Sequence, residues 1–478
     1  MGTLKVLDLF AGGGGFSTGF LNAECADYTF EIVKAVELDP NASETLRQHL
    51  GEEKVIEGDI TSPEVKEEIF KNCKDVDVVI GGPPCQTFSL AGPARSGTKE
   101  MREKLKHDPR NTLYKHFLDI VESIQPAYVV FENVEGMLSK KAEMTDGISA
   151  KQSQVIELIC DELEAMGYNV GLEDSLNRFQ VLNAANYGTP QIRRRIIILA
   201  NRYGHENPIP IQTQQPENYK TLRDSIYYLP VRLPFISKRS IDNLKKMEIV
   251  YNHYESLLGE FLDCIEGLAS DAQEPIMHER LNQLRAELKK EFEKIRGSSE
   301  PNRDKLLTFI QKYNDLLSHL EINQLSEDIT ITTHQSRTHN LRDIIIFVMT
   351  KQGSNSARFM NEQHDDYHEL LSDLYPYSRE KHKDTYVKHS WDRPSNTILA
   401  HMEKDGLKFI HPEQPRTFTP YEAQLLQSFP GDFTFFGGRN AQYKQIGNAV
   451  PPILAQAIGQ SILEKYVSIS KKKLFKQM

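Results

Sequence analysis

Residues 1–205 read as an α/β fold with a doubly wound, mostly parallel sheet, and three observations predict it. Short apolar runs rich in β-branched residues alternate with segments of helical period. The first run empties into a glycine-rich turn, Gly12-Gly13-Gly14-Gly15, that opens a helix. The next two runs end on an acid, Glu37 and Asp59, as strands do where an open sheet meets a ligand.

Residues 4–10 form the first strand, and residues 11–20 the turn and helix entry. Glycines let backbone N–H groups approach a ligand closely and aim a helix N-terminus at negative charge. A dinucleotide fingerprint needs glycines at i, i+2 and i+5. Counted from Gly12 the last place is Ser17, and from Gly13 it is Thr18, so an NAD reading fails on spacing. Ile32 to Glu37 is the second strand, and its terminal carboxylate can accept both hydroxyls of a ribose. Val55 to Ile60 is the third, where Asp59 can accept from an adenine amino group with Ile60 against the ring. Singly these are ordinary surface carboxylates. Together, behind a glycine-rich turn, they outline an adenosine pocket.

Val76 to Ile80 reads as a buried strand, broken by Gly81-Gly82-Pro83-Pro84 before Cys85-Gln86-Thr87-Phe88-Ser89. A cysteine just past the carboxyl end of such a strand sits where open α/β sheets place their ligands. A lone cysteine is more often a small buried thiol, so the other motifs must decide its role. Helical period spans Asn111 to Gln125, and Pro126 ends it. The strand Tyr128 to Phe131 runs into Glu132-Asn133-Val134, a helix follows over about 151–166, and Gln191-Ile192-Arg193-Arg194-Arg195 leads into the strand Ile196 to Ala200.

Past residue 205 the character changes. Pro208, Pro210, Pro216, Pro230 and Pro234 mark a linker-like passage. Residues 238–325 are charged and helical, with apolar spacing at Leu281, Leu284, Leu288, Phe292 and Ile295 and a break near Gly297 to Pro301; they read as a solvated helical insertion. His364 and His368 share a helix spacing, but Asp365 stands where a zinc-binding HExxH site needs glutamate, so no metal site is expected. Trp391 to Ile398 precedes an expected strand, Pro420 to Ser428 a helix capped by Thr419, and Gln445 to Pro452 opens the terminal helix.

The net charge of −10 warns against an easy nucleic-acid assignment, but its distribution is uneven. Arg95, Lys99, Arg102, Lys104, Lys106 and Arg110 crowd the segment just after Cys85. The five cysteines are odd in number and never in a CxxC pair, which argues against a disulfide framework or zinc site and for a reducing cytosol. The opening residues are too short and charged for a signal peptide, and no apolar run reaches the length of a membrane span, so a cytoplasmic protein is expected.

With these motifs in order, the chain resembles the DNA (cytosine-5)-methyltransferases, the bacterial enzymes paired with restriction systems. Asp8 to Gly15 resembles the first cofactor motif, Pro83-Pro84-Cys85-Gln86 the nucleophile motif, Glu132-Asn133-Val134 the proton-donor motif, Gln191 to Arg195 the pyrimidine- and phosphate-binding motif, and Gly447-Asn448-Ala449-Val450 the last motif. The resemblance implies the class I S-adenosylmethionine-dependent fold over 1–205, a target-recognition domain over 206–440, and a helix at 441–470 returning to the first domain. It implies Cys85 as the nucleophile and Glu132 as the proton donor. It has Arg195 and Arg193 holding the base and its phosphate, and Gln86, Ser89 and Asn133 around them. It further implies S-adenosyl-L-methionine bound by Phe10, Ala11, Gly12, Gly14, Glu37, Leu38, Asp59, Ile60, Pro84, Leu113, Asn448 and Ala449. The basic loop 91–110 would close over a flipped nucleotide. The expected partners are double-stranded DNA, engaged by a monomer, and a cognate restriction endonuclease or other defence-system subunit. A transfer-RNA methyltransferase and a catalytically silent binding subunit are the alternatives on the same scaffold. The helical segment 238–325 matches no pattern of the family.

Overall fold

The computed structural model describes residues 2–84, 112–139, 141–145, 150–238, 253–296, 303–324, 333–361, 374–376 and 385–477. They form two compact units: residues 1–220, 396–400 and 426–478, and residues 221–395 and 401–425.

The first unit is built on an eight-stranded sheet. Its strands are β1 (Gly2–Leu9), β2 (Glu24–Cys25), β3 (Tyr28–Glu37), β4 (Val55–Glu57), β5 (Val78–Gly81), β6 (Tyr128–Val134), β9 (Gln180–Asn183) and β10 (Arg194–Asn201); β7 (Lys141–Thr145) and β8 (Ala150–Gln154) make a separate hairpin. Strands β4, β3, β1, β5 and β6 are mutually parallel in that order, while β10 runs antiparallel between β6 and β9. From β1 the chain proceeds to β3 on one side and later returns to β5 on the other. That is a topological switch point, and it opens a crevice at the carboxyl ends of β1 and β5. Helices α1 (Gly15–Leu21), α2 (Pro40–Leu50), α3 (Pro63–Asn72), α4 (Leu113–Ile124) and α5 (Val155–Ala165) follow the strands, as the alternation of apolar periods requires.

The core is double, one layer on each face of the sheet. Alternate residues of β1 divide between them: Leu7 and Leu9 join Val79, Phe117 and Ile159, whereas Leu4 and Val6 join Phe20, Ile80 and Leu454. Three local expectations need correction. Residues 151–154 belong to β8, and the helix starts only at Val155. No strand forms near Ile398 among the described residues; the local pairings are isolated bridges, Lys388 with Ile410 and Ile410 with Thr417. Gln445 to Pro452, expected to open the terminal helix, instead spans a break: Gln445 to Asn448 close the helix Arg439–Asn448, and the terminal helix runs Pro452–Gln477.

The first part of the proline-rich passage, as far as Lys220, stays with the first unit, while Pro230 and Pro234 belong to the second. The backbone of that first part is tied in place, with the Thr213 and Gln214 N–H groups donating to the Asn186 carbonyl at 3.0 and 2.9 Å. Residues 429–435 stay as well, since Phe429, Phe433 and Phe435 pack together and His49 stacks on Phe433 at 3.7 Å.

In the second unit, residues 238–325 are not a solvated appendage. Helices Tyr254–Asp271, Pro275–Arg296 and Arg303–His319 bury Leu281, Leu284, Leu288, Phe292 and Ile295 in one core with Leu233, Ile236, Ile344 to Phe347 and Ile410. Side chains lock the outer chain to these helices: Tyr313 donates to the Pro234 carbonyl at 3.0 Å, and Asn314 both donates to and accepts from the Ile236 backbone at 2.9 Å. The expected break at Gly297 to Pro301 and the pair His364 and His368 lie outside the described residues.

A buried polar knot braces this unit. Arg416 donates both terminal nitrogens to Glu422, each at 2.7 Å, and Glu422 caps Thr419, whose hydroxyl meets His334 Nδ1 at 3.0 Å. Burial alone would raise the Glu422 carboxyl, but the Arg416 guanidinium, paired with it twice, holds it well below the usual range. Burial pushes His334 and His389 down to about 4, so both are neutral in the folded chain. Unfolded histidines take up protons near pH 6.5, so between about pH 6.5 and 4 the unfolded chain binds more protons and stability falls with pH. Each buried histidine contributes up to about 3 kcal/mol of this loss. The Glu422 contribution is present above about pH 4 and goes only at lower pH. The expected result is a urea midpoint markedly lower at pH 5 than at pH 7.5, read by fluorescence of Trp391, the single tryptophan, which is 3 % exposed in this unit. A midpoint constant across that range would contradict it.

Candidate active site

The turn after β1 turns sharply because three residues take left-handed dihedrals: Phe10 (φ 60°), Gly12 (φ 56°) and Gly14 (φ 82°). The Ala11 N–H donates to the Val36 carbonyl at 3.0 Å, which pins the turn to the end of β3. Gly12 donates its N–H to Glu37 Oε2 at 2.8 Å, and the Asp39 N–H takes Oε1 at 2.8 Å. A carboxylate oxygen has two acceptor sites, so Glu37 held in this way can still accept two hydroxyls. Burial raises its carboxyl above the usual range, against the pull of these N–H groups. A Cβ placed on Gly12 would meet nothing within 4 Å, so open space lies over the turn. Leu38 beside it is 64 % exposed, an apolar face available to a flat ring. Asp59 is exposed and accepts the Thr61 N–H through Oδ1 at 2.9 Å, with Ile60 buried next to it. Asn448 is exposed, Ala449 buried and Leu113 half-buried at the start of α4.

The second half of the site lies at the carboxyl ends of β5 and β6. Glu132 and Arg195 stand on neighbouring antiparallel strands, and Glu132 Oε1 lies 2.8 Å from Arg195 Nε. Both are nearly sealed from solvent. Burial raises the Glu132 carboxyl more than Arg195 and Arg193 lower it, and burial likewise lowers Arg195. The pair is therefore one in which the carboxyl keeps its proton more readily than a surface glutamate. The loop leaving β5 is drawn against this carboxyl. Asn133 Nδ2 donates to the Pro83 carbonyl at 3.0 Å, and a Cβ added to Gly82 would stand 2.6 Å from Glu132 Oε2. Only glycine lets the backbone approach so closely. Pro84 is exposed; Cys85, Gln86, Ser89 and the basic loop 91–110 lie outside the described residues.

Arg193 shares the inward face with Arg195, as their spacing implies, but its expected contact with a phosphate does not fit. It is 1 % exposed, and its terminal nitrogens donate to the carbonyls of Ile398 (3.0 Å), Gly447 (2.9 Å) and Ala449 (2.9 Å). Gln191 accepts the Ile398 N–H at 2.8 Å and donates to the Leu426 carbonyl at 3.2 Å, while Gln427 donates to Ile446 and Ala449 at 2.9 and 2.7 Å. These three side chains fasten the segments that carry Asn448 and Ala449 onto β10. Sequence reasoning assigned that motif to its arginines and missed Gln191 and Gln427; the i, i+2 spacing of Gln191 and Arg193 was the available signal. Arg193→Ala is expected to destabilise the chain by about 3–5 kcal/mol, since it strands three buried carbonyls in place of charged donors. A thermal midpoint shift under about 2 °C would show otherwise.

A glycine-rich turn facing an anchored acid at a switch point, with a sealed carboxyl–guanidinium pair at the ends of the neighbouring strands, lies where doubly wound α/β proteins bind their ligands. The C-5 cytosine-specific DNA methylase family matches residues 4–464. Type II methyltransferases of Haemophilus parahaemolyticus and Desulfomicrobium norvegicum are each 27 % identical to this chain, over 97 % and 96 % of it and 87 % and 88 % of their own lengths. A crystal structure from E. coli, of a prophage-encoded chain assigned as a DNA modification methyltransferase, shares the fold with a TM-score of 0.54 at 21 % identity, covering 96 % of this chain and 99 % of that one. The chain belongs to the C-5 cytosine-specific DNA methylase family and is a DNA (cytosine-5)-methyltransferase.

Proposed function

We propose that the chain methylates C5 of a cytosine flipped out of a specific duplex sequence, through a covalent bond between Cys85 and C6, as the modification arm of a restriction-modification or other anti-phage system. The observation that carries this reading is the Glu132–Arg195 pair lying against Gly82, with two prolines between that glycine and Cys85.

The residues of the β1 turn fit S-adenosylmethionine: an open cradle over Gly12, an anchored Glu37 and exposed Leu38 suit a ribose and an adenine, and Asp59 and Ile60 follow β4, the strand paired with β3. When bound there, the cofactor supplies an electrophilic methyl group. The remaining work falls to the chain. Cytosine C5 is a weak nucleophile, and covalent catalysis divides that difficulty. The Cys85 thiolate adds to C6 while Glu132 holds a proton at N3, leaving C5 enamine-like. Arg195 orients Glu132 and offers its outer donors to the O2 of the base. Loss of the C5 proton later expels the thiolate. Flipping the base costs roughly a few kcal/mol, and the basic loop 91–110 would offset part of it by clasping phosphates.

The second unit would read the target sequence, a task that needs a dedicated element in a groove of the duplex. The type II names of the relatives support a restriction partner. Tritiated S-adenosylmethionine offered with duplex DNA and with transfer RNA tests the reading: label in DNA at bisulfite-resistant cytosines is expected. Label confined to transfer RNA, or to no polymer, would overturn it.

A further inference from the structure

At the turn between the helices Tyr254–Asp271 and Pro275–Arg296 lies a cavity that methyl transfer does not use. Its volume is about 90 Å³, room for roughly six water-sized groups. Three rings (Tyr227, Tyr228 and Trp391) and three carboxylates (Asp271, Glu274 and Glu413) line it, and no lysine, arginine or histidine does. All of the lining belongs to the second unit. Tyr228 is 60 % exposed, so the cavity meets solvent.

Two sets of observations fit the cavity to a cation. The first is aromatic. A ring face carries the negative part of its quadrupole and attracts a positive group. The chain's own Arg223, which does not line the cavity, is already drawn to the same two rings: its Cζ stands 4.9 Å from the Tyr227 centroid and 5.9 Å from that of Trp391. The second is electrostatic. Glu274 stands just before Pro275–Arg296 and suits the positive end of that helix, but Asp271 ends its own helix, where the dipole disfavours a carboxylate. Neither acid forms a salt bridge with a described residue. Trp391 Nε1 donates to Glu413 Oε1 at 2.5 Å, and Oε2 has no partner among the described residues. Burial raises the Glu413 carboxyl and Asp271 adds to it, against the indole N–H, Arg223 and Lys388. Carboxylates gathered round one cavity repel each other, and a cation among them relieves the repulsion.

We propose that this cavity binds a guanidinium group, laid on the Tyr227 and Trp391 rings with its N–H donors on Glu413 and Asp271. A guanidinium is flat, stacks on aromatic faces and offers forked donors that match carboxylates; a compact, strongly hydrated ammonium does neither. An arginine side chain of a partner protein and a small free guanidine present the same chemistry. None of the lining residues takes part in methyl transfer, so the site stands or falls apart from that reaction.

Trp391 is the single tryptophan, so its emission reports on the cavity. The full chain is titrated at constant ionic strength with n-propylguanidine, with Nα-acetyl-arginine N-methylamide, and with the citrulline counterpart of the latter, a neutral urea of the same shape. A saturable change with a Kd on the order of a millimolar is expected from the guanidines and none from the urea. Tighter binding of the capped arginine assigns the cavity to a protein side chain, and tighter binding of propylguanidine to a free guanidine. Asp271→Asn and Glu413→Gln, checked for folding by circular dichroism, are each expected to raise Kd about tenfold or more. No saturable change with either guanidine, or an equal change with the urea, would overturn the proposal without any variant. An unaltered Kd in both folded variants would overturn it as well.

Discussion

Cys85→Ser is expected to abolish methylation, with turnover lowered by at least about 10⁴-fold while DNA and cofactor still bind. A thiol of ordinary pKa near 8.5 is a few per cent ionised at neutral pH and already strongly nucleophilic. A serine hydroxyl in its place would need a dedicated base, and the sequence offers no histidine–aspartate partner for one. The change is nearly isosteric, so it tests chemistry rather than packing. A companion experiment reads the bond itself. In a target carrying 5-fluorocytosine, fluorine at C5 cannot leave as a proton, so the adduct cannot resolve. A complex stable to denaturation is expected from the unaltered chain and not from Cys85→Ser. Near-normal turnover in the variant, or no trapped complex from an active enzyme, would remove the covalent mechanism and leave the family assignment standing.

Glu132→Gln is expected to lower kcat by about 10²–10⁴-fold with little change in DNA affinity. Glutamine can donate a hydrogen bond to N3 but cannot lend it a proton. The pH dependence carries the sharper test. Burial raises Glu132 above the usual carboxylate range even with Arg195 at 2.8 Å. With Glu132 as the proposed proton donor the proton-bearing form is the active one, so this group is expected to give an alkaline limb: activity is lost as pH rises through its folded pKa. Cys85 works in the opposite sense, gaining thiolate as pH rises, and the two together predict a bell. In Glu132→Gln the limb due to the carboxyl should vanish. A variant within tenfold of normal turnover, with the alkaline limb unchanged, would assign the proton at N3 to another group.

Gly82 connects these two experiments. Its backbone can lie against Glu132 only because it lacks a Cβ, and the Asn133–Pro83 bond holds the loop in that position. Glu132, the proposed proton donor, and the residues Gly82 and Pro83 that lead toward Cys85 are thus held against one strand, β6, whose pairing with β10 brings Arg195 to the same point. A site assembled from adjacent strand ends needs little reorganisation when substrate enters.

Much of this was legible in the chain itself. Runs of β-branched residues marked β1, β3, β5, β6 and β10, because a strand buried on both faces must be apolar throughout. The glycines of the first turn and the acids that end β3 and follow β4 sat at places where geometry leaves few residue choices. Local signals failed where the outcome depended on distant partners. Residues 151–154 carry no strong strand pattern and pair only because β7 lies opposite. The helices of 254–319 looked solvated because a heptad stripe does not say what covers it; their cover comes from Leu233, Ile236 and Ile344 to Phe347.

Arg193 and Arg195 mark the same boundary. Their spacing made them equivalent, both pointing inward from one strand. Period two decides the face on which a side chain lies, and the sequence alone determined that much. Which of the two meets a carboxylate and which meets three carbonyls was decided by the return of residues 398 and 447–449 to β10. Segments some two hundred residues away in the chain leave no mark on local periodicity, because tertiary packing, not propensity, determines where buried donors find their acceptors.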